Sequence, residues 1–485
     1  MPKNKQSFNI HIETWSAIFI IAFVSTFILA NFFIGFSWPI YILSMGVAFT
    51  LSVFYPRAGL YAIVFLTMIF ERFFTLASIY VGRTEYKLYP IDIIMLAMLV
   101  GLFFYYWRRT KAERQNFKLI KNDWVLIIFI FLNAVYFLAS VFVIKSSAYL
   151  SFSSFKNYGF YSLLYFVSLW LIQSREDLKR LFSFFMAGAL AIIGFIIFGI
   201  VNGKGLWTQF TPLSTPGVRI LAFTHGLYLS LAFVAAIVYL VVKKDRSKKT
   251  YLYWILPVWL IGIAGTMMRH LWISIILALL GVYVFISKEK RKVFRKLVGS
   301  FFLVFLTALI FVFYFMTMTP NSSTTRFAQN TLSAVEERGS SIANAGADQS
   351  FAWRELVWNT AYDDFKNNPV LGIGTGKMVY IQTQNYRDFV EIRNIHNSFL
   401  SILIQMGLLG FGTLIFFLYK NISSLIKTLR KTHNQFYALA ILGTLLVYLI
   451  AIMFQPYLET NLLAIFFWIA LGLSRNLANH KIEHI

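Results

Sequence analysis

The sequence predicts an all-α, polytopic membrane protein of about 14 transmembrane helices, with 12 as the lower bound, and one large loop late in the chain. Three observations carry this. Of 485 residues 58% are hydrophobic and 19% aromatic, with 52 Phe and a mean hydropathy of +0.67, a composition that no soluble domain keeps dissolved. Apolar runs recur at the length of about 20 residues that crosses about 30 Å of hydrocarbon at 1.5 Å per residue. Basic residues cluster in short segments between those runs, as in Arg108-Arg109-Thr110-Lys111, Lys243-Lys244-Asp245-Arg246-Ser247-Lys248-Lys249 and Lys288-Glu289-Lys290-Arg291-Lys292.

Taken in order, the candidate spans are 14–34, 37–55, 58–76, 90–107, 124–144, 157–173, 181–201, 220–242, 251–267, 270–287, 298–318, 396–419, 436–454 and 460–474. The first lacks a small-residue cleavage site and reads as an uncleaved span. Glu71 and Arg72 lie near the end of the third. The chain divides into a tail at 1–13, spans over 14–318, a loop at 319–395, spans over 396–474 and a tail at 475–485. With both tails in the cytoplasm, 29 of the 44 Lys and Arg but only 8 of the 20 Asp and Glu face inward, as the positive-inside rule requires. The loop at 319–395 is therefore expected outside.

The same distribution accounts for the net charge of +24: it sets orientation and meets anionic lipid headgroups, so no nucleic-acid partner is called for. The absence of cysteine removes disulfides, thiolate nucleophiles and Cys-ligated metals together.

Within the loop, 351–367 reads as an amphipathic helix. Trp353, Leu356, Val357, Ala361 and Phe365 share one face, Arg354, Glu355, Asn359 and Asp363 lie largely off it, and Asp348 or Ser350 is placed to cap it. Its stripe is expected to lie on the outer surface or roof a cavity, because too little loop surrounds it to build a separate core. Pro369 and the glycines of Gly372-Ile373-Gly374-Thr375-Gly376 end it. That glycine run follows Asn-Pro rather than a buried strand, so it reads as a turn and not a nucleotide loop. Asp363-Asp364 lacks spaced partners for a metal and reads as a solvated helix end.

The candidate chemistry gathers at lipid–water junctions. His396 stands where the polar loop gives way to an apolar run, and the positive end of a helix dipole there keeps an imidazole neutral and able to take a proton from a hydroxyl. Asn397 beside it can orient a sugar or the ring. Arg219 follows Pro212, Pro216 and Gly217 and starts the span from Ile220, where a guanidinium and exposed N–H groups would both point at a phosphate. Arg269 sits in a tight outer turn. The competing readings are an interfacial histidine with its polar tip in the headgroups and arginines that snorkel. The stretches 125–144, 181–201, 220–242, 298–318, 396–419 and 436–454 hold no Asp, Glu, Lys or Arg, which disfavours an ion-coupled pump. Two guanidiniums and a histidine at one lipid boundary suggest an enzyme acting on a lipid-linked diphosphate.

Arg354 and Trp358, then Asn368-Pro369-Val370-Leu371-Gly372-Ile373-Gly374-Thr375-Gly376, His396-Asn397-Ser398-Phe399-Leu400 and Gln405-Met406-Gly407-Leu408-Leu409-Gly410 resemble the O-antigen ligase and polymerase superfamily. The resemblance covers about 60 residues well and is topological elsewhere. It implies a GT-C-like, inverting, metal-independent glycosyltransferase without a cofactor, in the bacterial cytoplasmic membrane with its site on the extracytoplasmic side. Its implied partners are an undecaprenyl-diphosphate-linked glycan donor, a glycan or glycolipid acceptor and membrane lipids. His396 would be the base, Arg219 and Arg269 the diphosphate grip, and Arg354 and Asn397 further substrate contacts. The chain departs from the pattern at Met268, where a hydroxyl residue is common. The alternative is a non-catalytic transporter or flippase of lipid-linked glycans, whose cavity would also want arginines.

Overall fold

The computed structural model describes residues 3–70, 77–81, 84–108, 118–201, 220–243, 249–318, 349–382, 387–430 and 435–478, with single positions between 325 and 336. Its helices are α1 (Lys3–Ile34), α2 (Trp38–Phe54), α3 (Pro56–Ile69), α4 (Pro90–Trp107), α5 (Lys121–Phe142), α6 (Ala148–Phe155), α7 (Leu164–Leu171), α8 (Arg175–Val201), α9 (Phe223–Val242), α10 (Lys249–Ala264), α11 (Arg269–Phe285), α12 (Lys288–Met318), α13 (Gln349–Asn367), α14 (Ser398–Leu429), α15 (Gln435–Ala451) and α16 (Ile465–Ala478). Six of the described helices are long and apolar enough to cross a membrane, and shorter apolar helices accompany them. Lipid offers no hydrogen bonds, so a helix, which pairs its backbone internally, is the form such apolar runs must take. The chain is a multi-pass membrane protein.

One large apolar core runs through the bundle, where α11 packs along α15, α3 along α8, α9 along α15, α7 along α16 and α14 along α5. Prolines begin helices where a missing N–H costs nothing: Pro39 near the start of α2, Pro56 in α3 and Pro90 in α4. Between α6 and α7 the chain passes through a π-turn (Lys156–Phe160) and a 3₁₀ turn (Tyr161–Leu163), so the predicted span at 157–173 is an irregular helix.

At one end of the bundle, buried charge is paired. Asp123 accepts from Tyr165 Oη at 2.7 Å, from Ile120 N at 2.8 Å and from Arg475 Nε at 3.3 Å, with both charged side chains almost wholly buried. Asp123→Ala would strand the Arg475 guanidinium, which costs roughly 3–5 kcal/mol where a buried pair loses one partner. A sharp fall in the thermal unfolding midpoint of the detergent-solubilised protein is expected, and a wild-type midpoint would deny the pair its role.

Two parts of the sequence reading need correction. The fold is not purely helical: β1 (Ala77–Val81) pairs antiparallel with β2 (Thr84–Leu88), and β3 (Met378–Gln382) with β4 (Arg387–Glu391). In β3 exposed and buried residues alternate strictly, a period of two in a part of the loop to which the sequence reading assigned no element. The loop also builds a small core of its own. Val357, Ala361 and Phe365 of α13 pack with Val379, Ile381, Val390, Ile392 and Ile395, and Ile404 of α14 joins them. Each fully buried Val or Ile contributes about 1.5–3 kcal/mol, enough to seat the loop as a cap on the bundle.

Element boundaries shift as well. The third span's helix stops at Ile69, and Glu71 and Arg72 lie outside the described residues. The last helix begins at Ile465 rather than 460, which leaves 452–464 as an irregular connection whose side chains are largely buried.

The glycine run is a turn, as its sequence suggested, and it has a partner. α14 is broken at Gly407, where φ is 62° and ψ −167°. The break frees backbone groups that lipid could not satisfy, and the chain at 369–374 takes them up. Ile373 N donates to Ile404 O at 2.9 Å and Gly374 N to Gln405 O at 3.0 Å, while Leu408 N and Leu409 N donate to Pro369 O and Val370 O at 2.9 and 3.2 Å. Tyr136 Oη caps the remaining freed carbonyl, Met406 O, at 3.0 Å. Irregular backbone is tolerated in this setting because protein covers it. Thr375 is clamped in turn by Ser140, Ser146 and Ser151 of the α5–α6 corner. Two separate motifs of the sequence are thus one structural device, and it fixes the helix that starts just after His396.

Candidate active site

His396 stands two residues before α14, with φ at 59°. A non-glycine residue in that region costs on the order of 1 kcal/mol or more and persists only where its surroundings impose it. Four contacts do so. Trp358 Nε1 on α13 donates to Ile395 O at 2.6 Å; Asn397 Oδ1 accepts from Leu400 N at 3.0 Å as the helix cap; Ser398 N donates to Ile452 O at 2.8 Å; and His396 Nδ1 lies 2.8 Å from Gln455 Oε1. The Trp353 ring meets the imidazole edge to face at 5.5 Å between centroids. The ring is part-buried, and removal from water holds its pKa below the ordinary 6.5, with the Arg354 guanidinium pushing the same way and the Gln455 bond opposing. The helix dipole invoked from the sequence has the same sign, but removal from water is the larger cause.

Arg269 is the first residue of α11, after a turn in which Met267 has φ 58°, and His270 follows it. His270 Nε2 lies 2.7 Å from Tyr457 Oη. Arg354 and His396 act electrostatically on His270, as does its chain neighbour Arg269, so the loop helix and the loop end lie near the start of α11. Asn397 caps α14 with its carboxamide oxygen, which contributes about 1 kcal/mol there. Arg219 lies outside the described residues. The helix expected to start at Ile220 starts at Phe223, and Ile220 N donates to Gly265 O at 2.9 Å, beside the turn that leads to Arg269.

The connection 452–464, which drew no attention in the sequence, supplies much of the site. Gln455 and Tyr457 touch the two histidines, and Glu459 accepts from Ser398 Oγ and from Tyr158 Oη, the latter at 2.7 Å. Burial pushes the Glu459 carboxyl up to about 7, against the pull of those two hydrogen bonds. The signal that could have found this segment is Gln455-Pro456 followed by Glu459-Thr460-Asn461 inside an otherwise apolar run, which is how a broken span beside a binding site reads. Arg393, by contrast, is engaged by Glu391 at 2.7 Å and by Ser153, and anchors the hairpin.

A part-buried imidazole beside a guanidinium can accept a proton next to an anion, which is what displacement of a phosphate-type leaving group by a hydroxyl requires. Residues 252–417 match the O-antigen ligase family, a stretch that contains Arg269, Arg354, His396 and Asn397 and leaves out Arg219 and Gln455. No curated protein matches the chain.

Proposed function

We propose, from the chain's membership of the O-antigen ligase and polymerase superfamily, that it transfers a glycan en bloc from undecaprenyl diphosphate to a sugar hydroxyl at the outer face of a bacterial cytoplasmic membrane. The observation that supports this reading is the seating of the loop helix on His396, where the Trp353 ring meets the imidazole at 5.5 Å and the neighbouring Arg354 acts on both His396 and His270. In the reaction the acceptor hydroxyl oxygen attacks the anomeric carbon as its proton passes to His396. The bond from that carbon to the diphosphate oxygen breaks, and undecaprenyl diphosphate leaves with its added charge held by Arg269 and Arg219. Attack opposite the leaving group inverts the anomeric centre, and fixed guanidiniums do the work that a metal ion does elsewhere. Arg354, on the cap above, is placed for the donor's sugar or its phosphates.

An apolar crevice of about 360 Å³ lies between α9, α10, α11 and α12, lined by Phe233, Leu260, Ile263, Trp272, Ile275 and Phe301. Trp272 is one helical turn from Arg269. A donor whose diphosphate sat at Arg269 would find a seat for its isoprenoid there.

The pH dependence follows from the sign of the His396 shift. Its folded-state pKa is depressed, so the neutral form needed as base is present above that value and lost as pH falls through it. Transfer is expected to hold from pH 7 down past the ordinary 6.5 and to fail only below it, as a pH profile of kcat/KM reads.

The test is transfer in proteoliposomes given a synthetic undecaprenyl-diphosphate oligosaccharide and a sugar acceptor, with products read by mass spectrometry. A new glycosidic bond of inverted configuration is expected. Donor that crosses the bilayer uncleaved would make the protein a transporter instead. Glycan analysis of a deletion strain separates the two transferase classes, since single repeats left on the acceptor indicate a lost polymerase and carrier-linked polymer a lost ligase.

A further inference from the structure

We infer that Gln455 is a positioning residue that holds His396 in the tautomer with its proton on Nδ1, leaving Nε2 as the proton acceptor. This rests on the transferase reading above for its consequence, but not for its chemistry. Gln455 lies 38 residues beyond the end of the matched stretch at 417, and nothing in that match assigns it a role.

A neutral imidazole carries one ring proton, and which nitrogen holds it is decided by the partner of the other. The atom 2.8 Å from Nδ1 is the amide oxygen of Gln455, which can only accept, so the ring donates from Nδ1. The glutamine is itself fixed. Its N donates to Ala451 O at 3.1 Å, and its own carbonyl accepts from Tyr457 N at 2.9 Å and from Ser398 Oγ at 3.3 Å. Ser398 closes the loop of contacts, because its N donates to Ile452 O and its one hydroxyl proton is shared between Gln455 O and Glu459. The segment 452–459 and the segment 396–398 are thereby stitched together, with the left-handed His396 between them. A ring with its orientation fixed and one nitrogen committed presents the other at a set place.

The charged and titratable groups around this pocket are Arg354 from α13, Arg269 and His270 from α11, and Tyr457 and Glu459 from the 452–464 connection; of these it is the Arg354 guanidinium that acts on the His396 ring. A neutral amide partner suits that setting. A carboxylate would also accept from Nδ1–H, but it would stabilise the imidazolium and make the ring a base already protonated at higher pH. Glutamine keeps the orientation and leaves the ring neutral.

Three proteins separate the possibilities: wild type, Gln455→Leu and Gln455→Glu. Ring nitrogens of ¹⁵N-histidine-labelled protein in nanodiscs are assigned by difference against His396→Asn. The wild type is expected to carry a protonated Nδ1 and a bare Nε2 on His396. Gln455→Leu is expected to shift the ring to the opposite tautomer and to lower kcat by 10-fold or more, with the roughly 10⁴-fold loss seen when a triad histidine takes the wrong tautomer as the upper bound. Gln455→Glu is expected to restore the Nδ1–H tautomer and most of kcat, with the acid limb of the pH profile moved to higher pH. A wild-type proton on Nε2, or a Gln455→Leu protein with wild-type tautomer and kcat, would overturn the inference. The spectra report without any turnover, so an inactive protein with the expected ring signals would fault the transferase reading and leave this one standing.

Discussion

His396→Ala is expected to lower glycan transfer by roughly 10²–10⁴-fold, the span that a positioned general base contributes, while the protein stays in the membrane at its wild-type level. The His396 imidazole has a ring nitrogen that can take up the acceptor's proton, which the guanidiniums around it lack. Its removal leaves the leaving-group contacts in place, so the loss should fall on kcat with little change in donor affinity. The backbone at 396 is left-handed, and alanine there carries its own cost. His396→Asn is the companion variant, because asparagine accepts that conformation more readily and cannot act as a base. Both should be inactive, and both should unfold within a few degrees of wild type. Normal glycan products from either would remove His396 from the chemistry.

Gly407→Ala is expected to unseat the site without touching it. A Cβ at 407 would lie 2.2 Å from Val370 O and 2.4 Å from Val370 C, at a φ of +62° with an extended ψ that side chains other than hydrogen avoid. The neighbours are backbone, so nothing can swing aside. Relief requires the 369–374 clasp to lift off α14, which exposes the four backbone bonds between the two segments and the carbonyls behind them. A cost of at least about 3 kcal/mol follows, large enough to lower the folded yield as well as the unfolding midpoint. Gly412, five residues on, has open space where a Cβ would go and no positive φ, so Gly412→Ala should be neutral or slightly stabilising. Equal midpoints for the two variants would mean that the clasp contributes nothing.

What could be read in the sequence followed from periodicity and charge. Apolar length and basic loops marked the helices, and the junction at His396 was visible as the place where a polar loop meets an apolar run. Arg354 and Trp358 were singled out by resemblance, and the structure gives Trp358 a physical task, a hydrogen bond to the carbonyl just before His396. Gln455 and Tyr457 escaped because a hydropathy reading treats 436–474 as two spans with a short turn, whereas the chain leaves the helix at Ala451 and does not resume it until Ile465. Tertiary contacts to Ser398 and His270 hold that irregular stretch, and no local pattern announces a contact 57 residues away. The hairpin at 378–391 was missed for a related reason: two five-residue strands leave too short an alternation to stand out unless it is sought. The cap that Asn397 makes for α14 also fitted its type and place in the sequence.

The account turns on Arg269, Arg354 and His396 opening to one outward pocket that receives a lipid diphosphate. The chain contains no cysteine, so single substitutions Arg269→Cys, Arg354→Cys and His396→Cys each introduce the sole thiol of their protein. Labelling by a membrane-impermeant maleimide added from outside the cytoplasmic membrane, with and without undecaprenyl diphosphate, tests that pocket directly. All three thiols are expected to label from outside and to be slowed together by the lipid diphosphate. A thiol reached only from the cytoplasmic side, or protection that spares His396→Cys while covering Arg269→Cys, would contradict the account.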